Sequence, residues 1–435
     1  MRIAVIGAGI VGITTAHALQ CDGHQLTLFE RRGSVAVEAS FANAGVQAPG
    51  YVTPWAMPGM LRKVLGQWGR RDAAVRLAGV PGPALAAWLW RWWRASAAPT
   101  YLANRSAMAA LAELSQRRTR ELASSLAIEH ECTRGLLVLL RGEQELSQAR
   151  AGLKLLTDLG IGFHLVDAAV CRRIEPALSE ATALRAGIHM PGADVGNCRQ
   201  FALGLKSELQ RQGTEFRFGH AVQSLTPGTT VEVTSLALAN DAESTFIGSG
   251  DTGLVHRESF DAVVVCAALE SRALLQPHGL RLPLQAVHGY SITLPVRHFE
   301  AHPDVGPRAA LMDERFKVAI SRLGDRVRVA GAAELGGAAT KLSSAPIASL
   351  HRVLQDWFPS AARHAKAQTW KGARPMLPDG PPAIGRVGPP GLWVNTGHGS
   401  SGWALACGSA QVVADAIADR APALDIARFS PQRWH

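Results

Sequence analysis

The chain has 435 residues, of which 47% are hydrophobic, with 43 glycines, 24 prolines and a formal net charge of +10. This composition is typical of a turn-rich α/β protein with two or three domains' worth of core. No uncharged apolar stretch reaches the roughly 18 residues of a membrane span, and the six scattered cysteines contain no CxxC pair, which argues against structural zinc, iron–sulfur clusters and disulfides. We therefore expect a cytoplasmic chain without a metal site.

The start of the chain predicts a turn that binds a dinucleotide. Residues 2–6 are predicted to form a buried parallel strand, and residues 13–20 a helix. Glycines between them allow a tight turn, a close approach of pyrophosphate and close helix packing, and the helix N-terminus offers free N–H groups. The turn consists of Gly7, Ala8, Gly9, Ile10, Val11 and Gly12. Glu30, which ends the next predicted strand, can accept hydrogen bonds from a ribose. A Gly-rich turn in an ordinary α/β protein is the alternative.

Residues 60–105 combine basic side chains with tryptophan. Eight lysines and arginines stand here against the single acid Asp72, together with five tryptophans. Residues 84–94 are predicted to form a helix that carries Leu85, Trp88, Leu89 and Trp92 on one face. Arginine and tryptophan together favour a membrane interface, and packing at a domain seam is an equal alternative. Nucleic-acid binding is disfavoured, because the basic residues alternate with bulky apolar ones.

The next segments alternate between helical and strand patterns. Amphipathic helices are predicted over 106–125 and 143–159, with a short strand at 135–140 between them. A helix over 196–213 and a strong buried strand at 262–267 then return the chain to a parallel, doubly wound sheet. A further strand is predicted at 215–218.

Later segments predict antiparallel pairing. Residues 226–259, rich in Thr, Ser and Gly, are interpreted as a hairpin with a long exposed loop. Polar and apolar residues alternate at 290–294 and 326–330, which is typical of an antiparallel sheet with one exposed face.

A second Gly-rich turn follows a predicted strand near the end of the chain. It contains Gly397, His398, Gly399, Ser400, Ser401 and Gly402. Such a turn directs backbone N–H groups and a helix dipole at one point, which suits the electron-rich end of a reduced flavin, whereas nicotinamide does not need it. A turn that merely closes the sheet is the alternative. Arg374, on an extended segment, could hold a carboxylate bidentately or pair with a surface acid.

These motifs resemble the FAD-dependent D-amino-acid oxidase superfamily and, within it, most closely the bacterial D-amino-acid dehydrogenases. The resemblance runs over essentially the whole chain. Its motifs lie at residues 7–12, 40–45, 49–51, 54–59, 289–291, 313–320, 373–380 and 395–399.

The resemblance implies a fold of the α/β plus α+β class, in which a Rossmann-like FAD-binding domain is interleaved with an antiparallel-sheet substrate domain. The FAD-binding domain is expected to be discontinuous, over 1–85, 190–280 and 370–435. The substrate or cap domain is expected over 86–189 and 281–369.

The same resemblance implies non-covalent FAD and roles for particular residues. Glu30 and Arg31 would hold the adenosine end. The pyrophosphate and flavin would run beside Ser40, Asn43, Ala44 and Gly45, and the pyrimidine side would be covered by Gly397, Gly399, Ser400, Ser401 and Gly402.

Three side chains are the candidates for contact with the substrate. Arg374 would hold the substrate carboxylate. Tyr290 would make a second contact to the carboxylate or amine, with a core tyrosine as an equal alternative. His398 is expected to be a positional hydrogen-bonding residue, with a catalytic base or a covalent flavin link as the alternative.

The implied activity is hydride transfer from the Cα of a D-amino acid to the flavin N5, which yields an imino acid that hydrolyses to a 2-oxo acid and ammonia. Electrons would pass to a respiratory quinone or carrier, and residues 60–105 would contact the cytoplasmic face of the inner membrane. No dedicated base is required. The alternatives are an oxidase or dehydrogenase of glycine, sarcosine or D-hydroxyproline, and a basic FAD protein that acts on nucleic acid.

Three positions depart from the family pattern. His288 stands where Lys or Arg usually precedes the Gly-Tyr pair, and Ala268 where a glycine follows the buried strand. Phe316 takes the place of an expected tyrosine. These departures bear on substrate preference and electron acceptor more than on FAD binding.

Overall fold

The computed structural model describes residues 1–61, 74–238, 253–297, 305–337 and 341–434. Within these ranges the strands are β1 Arg2–Ile6, β2 Gln25–Glu30, β3 Val46–Gln47, β4 Val75–Ala78, β5 Thr133–Leu140, β6 His164–Asp167, β7 Ala186–Val195, β8 Glu215–Phe218, β9 His220–Pro227, β10 Val231–Ala237, β11 Val255–Phe260, β12 Ala262–Val265, β13 Gln285–Pro295, β14 Ala310–Asp313, β15 Val318–Leu323, β16 Arg326–Gly336, β17 Gln368–Met376, β18 Ala383–Arg386 and β19 Leu392–Thr396.

The α-helices in the same ranges are α1 Ile10–Cys21, α2 Pro83–Ala95, α3 Ala98–Ser125, α4 Glu143–Asp158, α5 Ala168–Ile174, α6 Cys198–Arg211, α7 Ser271–Leu275, α8 Ser344–Trp357 and α9 Gly402–Ile417. Short 3-10 turns lie at Pro49–Tyr51, Gln276–His278, His364–Lys366, Gly399–Ser401, Ala427–Phe429 and Pro431–Trp434.

The first sheet has six strands in the order β18-β19-β12-β1-β2-β8. All neighbours pair in parallel except β18 and β19. The central strands are rich in Val, Ile and Leu and are buried on both faces, as parallel strands require. One face packs on α1, α6 and α9, and the other on the three-stranded sheet β11-β10-β9. The predicted parallel sheet is confirmed, but it is not doubly wound in the strict sense, because a three-stranded sheet takes the place of a second helical layer.

The predicted hairpin at 226–259 corresponds to β10 and β11, which pair antiparallel. Its long loop falls on residues 239–252, which lie outside the described residues.

The second sheet is larger and mostly antiparallel. Its main path is β17-β13-β16-β15-β14-β5-β7-β3, with β4 beside β16 and β6 beside β7. Helix α8 packs across one face of it, where Leu350, Val353 and Trp357 meet apolar residues of β13, β15 and β16. The antiparallel sheet domain expected from the alternating pattern is therefore present, but the expected exposed face is not found at 290–294, because β13 is buried on both faces there.

The predicted domain ranges stay a prediction, and several elements are placed differently from them, β3 among them. β17 pairs with β13 in the larger sheet, although its residues from 370 fall in the expected FAD-binding range. β4 also joins that sheet, through β16. Helix α3, expected in the cap, places Met108, Leu111 and Ala112 in the same core as α9. The hydrogen bonds between strands and the burial of side chains decide which domain an element joins. Neither can be deduced from the local sequence pattern.

Helix α2 is the tryptophan-rich helix predicted from the sequence. Trp88 and Trp92 are 4% and 7% exposed, and they pack against Val287 in an apolar cluster of the larger sheet. Trp90 and Trp93 are 53% and 52% exposed on the other side. One face therefore packs in the core, as the domain-seam alternative requires, and the other is open. No helix in the described residues is long and apolar enough to cross a membrane.

Candidate active site

A cavity of about 2300 Å³ lies between the two sheets. It exceeds the roughly 300–1000 Å³ typical of sites for drug-sized ligands, and so has room for a dinucleotide together with a substrate. Every predicted site residue borders it except Ala8 and Gly12. The fold thus brings together the two Gly-rich turns, the segment from Ser40 to Gly45, and Arg374.

The turn between β1 and α1 is built as the sequence predicts. Gly7 has a φ of +100°, and a Cβ there would lie 2.8 Å from the carbonyl oxygen of Cys266. A Cβ on Gly12 would overlap the carbonyl oxygen of Gly7, so the helix can pack this closely only with glycine. The nearest atom to a Cβ built on Gly9 would be Ser40 Oγ, at 3.6 Å. Gly9 and Ile10 border the cavity, so the N-terminus of α1, where a phosphate is favoured, faces it.

Glu30 ends β2 beside this turn. Its carboxylate accepts hydrogen bonds from the backbone N–H of Ala8 at 2.8 Å and of Arg32 at 2.9 Å. Burial raises the pKa of Glu30, and these two donors oppose the shift. The carboxylate thus fixes the turn while it borders the cavity.

Arg31, predicted at the adenosine end, is engaged in ion pairs. Its guanidinium contacts Glu38 at 2.6 Å and Glu270 at 2.8 Å. These ion pairs border the cavity, and a role of Arg31 at the adenosine stays a prediction.

The segment from Ser40 to Gly45 connects the two sheets. Ser40 Oγ accepts from the N–H of Ile10 at 3.0 Å, which secures the segment to α1. Asn43 Oδ1 accepts from the N–H of Gly45 at 2.9 Å, and the carbonyl of Ala44 accepts from Ser321 Oγ of β15 at 2.7 Å. The segment is therefore held at both ends along the cavity wall.

The second Gly-rich turn lies between β19 and α9. Gly397 and Gly399 have φ values of +81° and +57°, and a Cβ on either would collide with Leu377 or Met376. The glycines are thus required both by conformation and by space. The turn brings the N-terminus of α9 to the cavity, as a flavin-covering turn needs.

His398 is fully buried in this turn, and its Nε2 lies 3.0 Å from Ser409 Oγ. Ser409 donates its own proton to the carbonyl of Ala406, so the histidine nitrogen is the donor. Burial lowers the pKa of His398 to about 3. A neutral, donating imidazole fits the predicted positional role and not that of a base near pH 7.

Arg374 lies on β17 and is partly buried in the cavity wall. Its Nη1 donates to the carbonyl of Ala332 at 3.0 Å, and burial lowers its pKa to about 10. Within the described residues no carboxylate forms an ion pair with it. Beside it, Gly289 provides the necessary space, because a Cβ there would overlap the guanidinium. The cavity wall thus carries a partly buried cation without an anion in the part of the chain that the structure describes.

Tyr290 borders the cavity and is also anchored in the larger sheet. It packs with Ile292 and Leu294 beneath α8. Its hydroxyl donates to Glu334 at 3.1 Å, and Lys371 Nζ contacts the same carboxylate at 3.0 Å. These contacts favour the core-tyrosine alternative, and a substrate contact of Tyr290 stays a prediction.

The three departures from the family pattern have distinct surroundings. Ala268 has a φ of +50°, a conformation that glycine adopts without strain. His288 is buried, and burial lowers its pKa. Phe316 borders the cavity, and the guanidiniums of Arg141 and Arg352 lie 5.0 and 4.7 Å from its ring centre.

Arg105 was missed as a site residue by sequence reasoning, which treats it as one member of the basic stretch. It lies on α3, is 5% exposed and borders the cavity. In the structure its neighbours Asn104 and Met108 on the helix are also buried. The sequence carries no signal of this burial that is strong enough to assign a role to Arg105.

Two Gly-rich turns that open into one cavity, with an arginine in its wall, are the arrangement expected of a flavin-dependent oxidoreductase. The comparison with known families agrees. Residues 2–416 match the DAO family, described as FAD dependent oxidoreductase, and the chain belongs to this family.

Similar proteins extend over the same length. The chain is 36% identical to a D-amino acid dehydrogenase of Rhizorhabdus wittichii, with all of both chains covered. It is 37% identical to a D-amino acid dehydrogenase of Cereibacter sphaeroides, with all of this chain and 95% of the other covered.

Solved structures share the fold. Glycine oxidase from Geobacillus kaustophilus superposes with a TM-score of 0.74 at 19% identity, over 99% of both chains. L-proline dehydrogenase from P. horikoshii superposes with a TM-score of 0.69 at 14% identity, over 99% of this chain and 97% of the other.

Proposed function

We propose that the protein is a dehydrogenase of D-amino acids, which it converts to 2-oxo acids and ammonia while electrons pass to a quinone or another carrier. Arg374 is the observation that supports this most directly, because its partly buried side chain borders the cavity without a carboxylate partner among the described residues. An α-carboxylate bound bidentately would supply the missing anion. The two relatives named D-amino acid dehydrogenase span the whole chain and support the choice of substrate.

FAD is proposed to extend along the cavity between the two Gly-rich turns. Its adenosine would lie near Glu30 and Arg31, and its pyrophosphate at the N-terminus of α1 near Ser40 and Asn43. The flavin would lie beneath the turn from Gly397 to Gly402. The volume of the cavity and the presence of both Gly-rich turns, Glu30 and Ser40 in its lining support this placement.

Bound FAD supplies a hydride acceptor at N5. The protein's contribution is orientation: Arg374 fixes the substrate carboxylate, and this directs the Cα–H bond. The substrate amine gives its proton to solvent before the C–H bond breaks and the C=N bond forms, and water then hydrolyses the imino acid. His398 is not assigned as a base, because its pKa of about 3 and its hydrogen bond to Ser409 leave it neutral and occupied.

The test is a panel of amino acids mixed with the purified holoenzyme in the absence of oxygen. D-amino acids should bleach the yellow flavin absorbance, while the L-enantiomers leave it unchanged. Unchanged spectra with every D-amino acid would refute the proposed substrate class. Admission of air then separates the two electron acceptors, because hydrogen peroxide formed in step with substrate loss would identify an oxidase instead of a dehydrogenase.

A peripheral contact with the cytoplasmic face of the inner membrane is proposed for the open side of α2. Trp90 and Trp93 are half-exposed there, and Arg94 lies 4.9 Å from the ring centre of Trp90. Aromatic rings at the level of the headgroups and arginines that meet anionic lipid are typical of interfacial helices. Such a contact would bring the flavin enzyme close to a membrane quinone.

A further inference from the structure

Arg105 is a second arginine in the cavity wall, and it is buried. Its Nη2 donates to the carbonyl oxygen of Gly50 at 2.5 Å. Its Nη1 is buried and has no hydrogen-bond partner among the described residues. The charged or polar groups that act on its pKa are the hydroxyls of Tyr101 and Tyr51, and burial, the largest effect, lowers it. Arginine stays protonated in proteins. Arg105 is therefore a cation whose Nη1 still has N–H groups available to a ligand.

The position of Arg105 separates it from the phosphate-binding turn. A Cβ on Gly50 would lie 3.0 Å from the sulfur of Met190 and 3.1 Å from Ile161. Met190 belongs to β7 of the larger sheet, in the same apolar cluster as Leu156. Arg105 therefore lies at the larger-sheet end of the cavity, where the substrate is proposed to bind.

The nearby acids are already neutralised by other cations. Glu314 forms an ion pair with Lys317 and also accepts from the hydroxyl of Tyr51 at 3.2 Å. Glu145 forms an ion pair with Arg315. A buried charge without a partner is unfavourable. A ligand with a negatively charged group would therefore be stabilised at this end of the cavity. A monocarboxylic substrate on Arg374 would compensate only one of the two guanidiniums.

We propose that Arg105 binds a second carboxylate, on the side chain of the substrate, and thereby gives the enzyme a preference for acidic D-amino acids. The inference rests on the proposed oxidation of D-amino acids and adds the substrate class. Guanidinium and carboxylate match in shape and charge and form the strong, charge-assisted type of hydrogen bond. A site built for such a bond discriminates sharply against an analogue that lacks the charge.

The first experiment measures kcat/KM for D-glutamate and D-aspartate against their neutral analogues D-glutamine and D-asparagine. The wild-type enzyme should prefer the acids by about 100-fold or more. Arg105→Met should remove that preference, because kcat/KM for the acids should fall by about 100-fold. The kcat/KM for the amides should change by less than about threefold. Arg105→Lys should keep part of it.

The matched control is Arg118→Met on the same helix. Arg118 is exposed, lies outside the cavity and contacts Glu121 and Gln411, so its loss should leave the preference unchanged. FAD content and melting temperature verify that each variant folds. Equal losses on acids and amides in Arg105→Met, or a wild-type preference for the amides, would overturn the proposal.

A binding measurement separates this inference from the proposed function. Glutarate and pentanoate have the same chain length but two carboxylates and one, and each is titrated into the oxidised holoenzyme while the flavin absorbance is followed. Glutarate should bind about 100-fold more tightly than pentanoate to the wild-type enzyme. This advantage should be lost in Arg105→Met. If no D-amino acid reduces the flavin but glutarate keeps this advantage, the proposed function fails and the anion site stands. If glutarate has no advantage, the Arg105 proposal fails regardless of activity.

Discussion

The guanidinium of Arg374 occupies the space that a side chain on Gly289 would fill. The two residues lie on the neighbouring strands β17 and β13, and a Cβ built on Gly289 would overlap Nη2 and Cζ of Arg374. Glycine at this position is therefore a condition for the arginine conformation. Since Arg374 also depends on the carbonyl of Ala332, its orientation is set by backbone on two sides.

Gly289→Ala should displace Arg374 and weaken substrate binding. We expect KM to rise by about 10-fold to 100-fold, because a misplaced clamp loses much of its bidentate geometry. The FAD content should stay at the wild-type level, because Gly289 lies on the larger sheet. Gly162→Ala is the control, since nothing lies within 4 Å of a Cβ there. An unchanged KM in Gly289→Ala would show that the overlap is relieved without cost.

Arg374→Leu removes the proposed carboxylate partner. A buried charge–charge contact is worth about 2–5 kcal/mol when one partner is truncated, which predicts a fall in kcat/KM of roughly 30-fold to 4000-fold. Retained FAD absorbance and a normal melting temperature would locate the defect in substrate binding. Kinetics equal to those of the wild type would remove Arg374 from the site.

Tyr290 shows why local patterns cannot assign the two faces of a strand. The ladder between β13 and β16 shifts register between His288 and Tyr290. Such an irregularity changes which residues oppose one another and which face they occupy. The pattern around Tyr290 predicts the strand correctly, but nothing in it announces the shift, so the same tyrosine fits either a substrate contact or the core.

The dinucleotide turn was predictable because its requirements are local. Gly7, Gly9 and Gly12 are demanded by the turn itself and by the helix that follows within a few residues, and Glu30 closes the next strand. Arg105 is the opposite case. Its burial arises where α3 packs against the turn at Pro49–Tyr51, more than fifty residues earlier, and the sequence shows only another arginine in a basic stretch.

Ala268→Gly should stabilise the protein. Ala268 follows β12 with a φ of +50°, and this left-handed conformation costs an L-residue about 1–2 kcal/mol. Part of the gain is offset by the greater freedom of glycine in the unfolded chain, so we expect an increase of about 0.5–1 kcal/mol in the free energy of unfolding.

The control for this substitution is Ala267→Gly next to it, which has no positive φ. It should lose about 0.5–1 kcal/mol. Urea unfolding of both holoenzymes measures the difference. Equal destabilisation by the two substitutions would mean that the strain at Ala268 is absent in solution.

His398 should make the protein less stable in mild acid. Its pKa of about 3 in the folded protein lies below the value of about 6.5 in an unfolded chain, so the unfolded state binds more protons between these limits. The stability contributed by the neutral ring is thus complete above pH 6.5 and is lost as the pH falls, at up to about 1.4 kcal/mol per pH unit.

The comparison with His398→Gln isolates this contribution, because the other histidines are shared and cancel in the difference. Urea unfolding at pH 7, 6 and 5 should show the wild-type free energy falling more steeply below pH 6.5, by about 1.4 kcal/mol per unit. Parallel curves for the two proteins would contradict a neutral, buried His398.

Arg91→Gln with Arg94→Gln should weaken binding to anionic vesicles if the open side of α2 meets a membrane. Each basic residue near an anionic surface contributes about 1 kcal/mol, so the double variant should bind roughly 10-fold to 30-fold less tightly in a sedimentation assay. Activity on a D-amino acid with a soluble electron acceptor should not change, because both arginines lie outside the cavity. Arg117→Gln with Arg118→Gln removes the same charge from the exposed side of α3 and is the control. If that pair weakens binding equally, the attraction comes from the overall charge of the protein, and α2 has no special part in it.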